Sequence, residues 1–207
     1  MPRVSAQHLE ARRRQILAAA RTCFLRDGFH NTSMQDVITE AGLSVGAVYR
    51  YFRSKNELIT SIAEEAVGGA GTLFDDLAGR RPPPTLNEAL TETWKFVDAQ
   101  TGPDGATRIA IQVWGEALRD PELGKFVARM YSEFRARFVT LAQLAQRNGE
   151  LPPDADPEAV GAALYALVPG YVLQRVLTGS PDSATFLAGV RTLLGLREPG
   201  PDRSATA

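Results

Sequence analysis

Apolar residues recur three and four positions apart along most of the 207-residue chain, the spacing of one helix face rather than of a strand. Ile16, Leu17, Ala20 and Phe24 predict a first helix over about residues 7–27, ended by Gly28. Met34, Val37, Ile38 and Ala41 predict a short second helix, capped by Thr32 or Ser33 with Gln35 or Asp36 three residues on, and ended by Gly42. Ser44 caps a third, in which Val48 and Phe52 fall four apart and face inward. A fourth starts at Ser54, where Glu57 completes a capping box, and continues through Leu58, Ile59, Ile62 and Ala66.

The later stripes are longer. Thr85 and Glu88 open a helix carrying Leu86, Leu90, Trp94 and Val97, with Phe96 beside them, and Gly102-Pro-Asp-Gly interrupts it. The next, about residues 106–119, presents Ile109, Val113 and Trp114 and extends its stripe to Leu118. Asp120-Pro121 starts a helix running to about residue 147, with Leu123, Phe126, Val127, Met130, Tyr131, Phe134, Phe138, Leu141 and Leu144. From Glu158 to Thr178 the pattern is apolar on nearly every side, and Phe186, Leu187, Val190, Leu193 and Leu194 mark a last helix at about residues 182–196. A helix with no broad polar face needs cover on two sides, so these last two helices predict a homodimer interface of four helices. Pro169 predicts a kink within it.

Two short helices joined at Gly42 read as a helix-turn-helix. Facing Val48 and Phe52 away leaves Val45, Gly46, Ala47, Tyr49, Arg50 and Tyr51 on the outer face. Small residues let a helix approach base edges in the major groove, while hydroxyl and guanidinium groups hold phosphates or read guanine. A surface hairpin with no DNA role is the competing reading of this pattern.

The wording Ala-Gly-Leu-Ser-Val-Gly-Ala-Val-Tyr-Arg-Tyr-Phe-Arg-Ser-Lys-Asn-Glu-Leu, residues 41–58, closely resembles the signature of the TetR family of one-component transcriptional regulators. The likeness extends upstream through Arg14-Gln-Ile-Leu-Ala-Ala-Ala and Phe24-Leu-Arg-Asp-Gly-Phe and covers about residues 10–65. Ile38 departs from it, since members usually carry alanine there. The resemblance implies an all-α chain in which an N-terminal three-helix DNA-binding unit (1–56) is joined by the fourth helix, from about 54, to a helical ligand-binding and dimerisation domain (57–197); the tail (198–207), rich in Pro, Gly, Asp, Ser and Ala with no apolar anchor, is expected to be disordered. By residue-wise analogy Ser33, Ser44, Val45, Gly46, Ala47, Tyr49, Arg50, Tyr51 and Lys55 match family positions near double-stranded operator DNA. Arg50 is then the base reader, and Tyr49 and Lys55 hold phosphates.

Charge supports the division. Residues 1–56 hold nine Lys or Arg against four Asp or Glu, a net +5, and the remainder carries −6, so that the whole chain stands at −1. A basic end on an acidic body suits phosphate binding at one place. Within it, Arg12, Arg13 and Arg14 are either a solvated run or neighbours of DNA. The single cysteine, Cys23, excludes an intramolecular disulfide framework and suits a cytoplasmic protein. No secretory leader or membrane-spanning run is read in the sequence, and no membrane partner is expected.

Candidate chemistry is sparse. No HExxH, CxxC, P-loop or Gly-x-Ser-x-Gly pattern occurs, so no catalytic residue, metal or cofactor is expected. Trp94, Phe96, Trp114, Met130, Tyr131, Phe134 and Phe138 supply ring faces and a thioether suited either to the walls of a cavity for a small effector or to plain core, with Glu116 a possible polar anchor. Gly68, Gly69 and Gly71 weaken the fourth helix, as a hinge or as a site of close packing. The reading is a dimeric regulator, most often a repressor in the family, released from a palindromic operator by an apolar or aromatic molecule. A ligandless architectural DNA-binding dimer and an enzyme on a helical scaffold are the rivals.

Overall fold

The computed structural model describes residues 6–196, so the expected tail at 198–207 lies outside the described residues. Among the described residues the chain forms nine α-helices and no strand: α1 (Ala6–Asp27), α2 (Met34–Ala41), α3 (Val45–Tyr49), α4 (Lys55–Gly79), α5 (Leu86–Ala99), α6 (Ala106–Ala117), α7 (Pro121–Arg147), α8 (Pro157–Thr178) and α9 (Ser183–Leu194). The chain is all-α, with a helix-turn-helix unit followed by a larger helical body.

The helix ends follow from local chemistry. Ser33 and Asp36 form a reciprocal capping box, as do Thr85 and Glu88. At α4 the Glu57 amide donates to Ser54 Oγ at 3.2 Å, while the Glu57 carboxylate accepts from the Arg53 amide at 2.6 Å, one residue earlier than a reciprocal box requires. Asp120 caps α7 by accepting from the amides of Glu122 (2.9 Å) and Leu123 (3.1 Å). Helix α6 stops at Ala117, so Leu118 falls in the following turn and is 89% exposed instead of extending the buried stripe.

The helices group into two compact units. The first comprises residues 1–68 and 106–128, so α6 and the start of α7 join the N-terminal helices. Its buried apolar residues include Ile16, Leu17, Phe24, Val37, Ile38, Val48, Phe52, Leu58 and Ile62, together with Ile109 and Val113 from α6. Polar side chains fasten it as well. Gln15 donates to the Ala41 carbonyl at 2.9 Å, and Arg13 and Arg21 of α1 both reach Glu65 of α4, at 3.1 and 2.9 Å.

The second unit comprises residues 69–105 and 129–207. Its core gathers Phe74, Leu77, Leu90, Trp94, Phe138, Leu141, Leu164, Tyr171, Leu187 and Val190 from five helices. Helix α8 meets α7 closely, and a Cβ on Gly161 would stand 2.6 Å from the Val139 backbone. Asp98 of α5 accepts from the Tyr171 hydroxyl and from Ser183 Oγ, joining α5 to α8 and α9. Burial, and then this carboxylate, raise the Tyr171 phenol well above its ordinary range.

On the other side of these two helices Leu173, Leu177, Leu193 and Leu194 are exposed. The expectation that no segment suits a membrane span needs correction. Pro157–Thr178 is long and apolar enough to cross one by length and composition, although Leu164, Tyr171 and Val172 commit one face of it to the core. Helix α4 is continuous through its glycines. Gly69 makes room for the Phe96 ring and Gly71 for Arg137, where an added Cβ would lie 3.4 and 3.1 Å away, whereas at Gly68 it would meet nothing within 4 Å.

Candidate nucleic-acid interface

The α2–α3 turn is set by three local features. The Ser33–Asp36 box fixes the start of α2, and its two hydrogen bonds from Ser33 hold the Asp36 carboxyl below its ordinary range. Gly42 stops α2 in the left-handed conformation (φ 62°), which costs glycine little. Ser44 then caps α3, its hydroxyl accepting from the Ala47 amide at 3.3 Å. Thr32, the other candidate cap, is buried and donates instead to the Cys23 and Gly28 carbonyls at 3.2 and 2.8 Å.

Helix α3 divides as its spacing requires. Val48 and Phe52 are buried, while Ser44, Val45, Gly46, Tyr49 and Arg50 are exposed and Ala47 and Tyr51 are half-buried. All nine expected DNA-facing residues, Ser33 included, are exposed or half-buried on the first unit, Lys55 among the half-buried.

Lys55 is half-buried, and its ammonium turns onto the backbone. Its ammonium donates to the carbonyls of Phe29 (2.6 Å), His30 (3.2 Å) and Thr32 (2.9 Å) and lies 4.5 Å from the centre of the Phe29 ring. Three acceptors occupy its three hydrogens. In this conformation the ammonium closes the α1–α2 turn. Burial lowers the Lys55 pKa, and the charge of Glu116 opposes that shift.

The arginine run is likewise sorted by direction. Arg13 points inward to Glu65 and lies 5.7 Å from the Phe52 ring centre. Arg12 donates to Gln15 at 2.8 Å and lines an open concavity of about 400 Å³ between the start of α1 and α3.

Gln112 of α6 holds the same turn, and Asp120 of the α6–α7 loop ties to α4. Gln112 accepts from the Phe29 amide at 2.6 Å and donates to the Phe24 carbonyl at 3.2 Å. Asn56 donates to Asp120 at 2.7 Å, which, with the amides of Leu123 and Glu122, keeps that carboxyl below its ordinary range. Glu116, expected at the effector cavity, lies in the first unit, 3.9 Å from His30 and 3.4 Å from Arg119. No periodicity marks Gln112, since one amide on a helix has no pattern to belong to.

The expected cavity residues are divided between the units. Trp114 and Glu116 belong to the first, and Trp94, Phe96, Met130, Tyr131, Phe134 and Phe138 to the second. Tyr165, absent from the expected set, is the centre of the α7 rings, with Tyr131, Phe138 and Phe134 at centroid distances of 5.4, 5.7 and 6.2 Å. Trp94 stacks on Phe186 at 5.7 Å, and its buried indole N–H has no acceptor among the described residues.

Comparison with known proteins places these features. Residues 16–62 match the family model of bacterial regulatory proteins, tetR family, and residues 88–196 match that of the BetI-type transcriptional repressor C-terminal region. The HTH-type transcriptional regulator YfiR of Bacillus subtilis is 29% identical over 187 residues, covering 88% of each chain. Among solved structures, GusR of Salmonella enterica superposes with a TM-score of 0.73 at 23% identity, covering 94% of this chain and 100% of that one. A transcriptional regulator of Saccharomonospora viridis, solved in complex with choline, gives 0.72 at 20% identity, covering 90% and 96%.

Proposed function

Since the chain belongs to the TetR family of ligand-responsive helix-turn-helix transcriptional regulators, we propose that it represses transcription by binding a palindromic operator as a homodimer, and that a small molecule releases it. The observation that carries the reading is the outer face of α3, where Val45, Gly46, Tyr49 and Arg50 stand exposed on a unit whose first 56 residues carry +5. Gly46 and Ala47 allow close approach to base edges, Arg50 offers two parallel donors to guanine, and Tyr49 offers a hydroxyl to phosphate. A twofold dimer presents two such faces to successive major grooves, roughly 34–36 Å apart. The exposed leucines of α8 and α9 support that dimer.

The effector we infer is largely apolar or aromatic and carries a hydrogen-bond acceptor. Trp94 supports this chemistry, because a buried N–H without an acceptor is unfavourable until a ligand or water supplies one. Release requires that the molecule favour the conformation that cannot bind DNA, by several kcal/mol for a near-complete switch. This work needs no turnover and is cytoplasmic.

Selection from random duplex DNA tests the proposal, followed by release assays on the selected duplex with compounds ranging from choline to aromatic acids. A palindromic winner is expected, and Tyr49→Ala is expected to abolish its retention with fold and dimer intact. Retention by Tyr49→Ala at matched salt, or no sequence preference in the parent protein, overturns the reading.

A further inference from the structure

Resting on the DNA-binding reading above, we infer that the concavity between the start of α1 and α3 seats a sugar-phosphate segment of the operator strand, with Arg12 as a phosphate-holding residue. Two observations carry this. First, the concavity of about 400 Å³ is lined on one side by His8, Leu9 and Arg12 of α1 and on the other by Gly46 and Arg50 of the reading face. No carboxylate stands among the described residues that line it, although residues 1–56 contain four. Second, the three consecutive arginines of α1 are not equivalent. Arg13 pairs with Glu65 at 3.1 Å, a carboxylate it shares with Arg21, whereas among the described residues Arg12 donates to the uncharged amide of Gln15 and meets no carboxylate.

The chemistry fits a phosphodiester strand better than a compact anion. Cationic groups on both walls can bracket a phosphate, and Leu9 offers an apolar surface to a deoxyribose face. Because the concavity is continuous with α3, a strand bordering the groove that α3 enters passes between the two walls. Such a contact holds register without reading sequence.

The test measures affinity of the full chain for its selected duplex, and for a random duplex, across a salt series. Each phosphate contact contributes about 0.9 to the slope of log affinity against log salt, so Arg12→Gln in both protomers is expected to make it shallower by about 2. The loss is expected on both duplexes, leaving sequence preference unchanged, while Arg12→Lys keeps the slope and Arg14→Gln, the exposed neighbour, leaves it as in the parent. In duplexes carrying one neutral methylphosphonate, a position is expected that weakens the parent but not Arg12→Gln. An unchanged slope in a folded Arg12→Gln protein, or an equal loss in Arg14→Gln, overturns the inference while the regulator reading stands. Absence of any duplex preference in the parent protein overturns both.

Discussion

Gln112 of α6 closes the turn after α1 by accepting the Phe29 amide hydrogen at 2.6 Å across 83 residues of sequence. The same side chain donates to the Phe24 carbonyl, which also accepts from the Gly28 amide at 3.1 Å, so one amide gives the Phe29 N–H its acceptor and ties itself to the end of α1. Phe29 is buried, and its amide has no ready access to water once Gln112 is removed. Gln112→Leu is therefore expected to cost about 1–3 kcal/mol in urea unfolding, and Gln112→Glu, which keeps the acceptor, less than that. Equal stability of Gln112→Leu and the parent refutes the account. Slowed exchange of the Phe29 amide in the parent, lost in Gln112→Leu, locates the effect.

Glycines in two helices should respond in opposite senses. At Gly161 a Cβ would lie 2.6 Å from the N, Cα and Cγ2 atoms of Val139, so alanine forces α7 and α8 apart. Overpacking of this kind costs about 1–3 kcal/mol, read as a lower urea midpoint. At Gly68 a Cβ meets nothing within 4 Å, and alanine in a helix interior is favoured over glycine by roughly 1 kcal/mol, so Gly68→Ala should raise the midpoint. Gly68 ends the first stretch of the first unit, which makes it the hinge candidate, whereas Gly69 and Gly71 serve the close packing of Phe96 and Arg137. If Gly68→Ala also leaves operator affinity and effector response unchanged, α4 does not bend there in function.

What was legible in the sequence was what repeats or is local. The stripe Leu86, Leu90, Trp94 and the boxes Ser33–Asp36 and Thr85–Glu88 fix helices through contacts three or four residues apart, and α7 starts at Pro121 and ends at Arg147 as its cap and stripe require. The outer face of α3 is local in the same sense. What was not legible depends on pairs distant in sequence. The carbonyls of Phe29 and Thr32 that meet Lys55, and the His30 and Arg119 side chains beside Glu116, are brought together by the fold and by no local spacing. Tyr165 carries no local signal, because α8 is apolar on nearly every side and no stripe singles out one ring.

Asp120 gives a pH dependence whose sign can be worked out. Hydrogen bonds from Asn56, and then from the Leu123 and Glu122 amides, lower its folded pKa below the ordinary 3.8. Between the two values the unfolded chain binds more protons, so stability falls as the pH falls. Its contribution is complete above about pH 5 and lost as the pH drops through the folded value. The stability difference between the parent and Asp120→Ala should therefore be constant from neutrality to about pH 5 and shrink below about pH 4. Asp36 and Asp182 are lowered as well, so the difference between variants, not the acid limb of one protein, isolates Asp120. A difference independent of pH down to about pH 3 would falsify the assignment.

The exposed leucines of α8 and α9 set the last prediction. Leu177 is 71% and Leu193 84% exposed, on helices whose opposite faces pack Tyr171, Val172, Leu187 and Val190 into the core. Burying a leucine against a partner contributes about 1.5–3 kcal/mol, and in a twofold dimer each substitution acts twice. Leu177→Glu with Leu193→Glu removes that gain and sets like charges on the contact surface. Sedimentation equilibrium at micromolar concentration should show a dimer for the parent and a monomer for the double variant. Helix content should be retained, because neither side chain contributes to the core. Affinity for a palindrome should then collapse to that of a half-site, since the two reading helices no longer bind as one ligand. A double variant that remains dimeric with unaltered operator affinity places the interface on another surface.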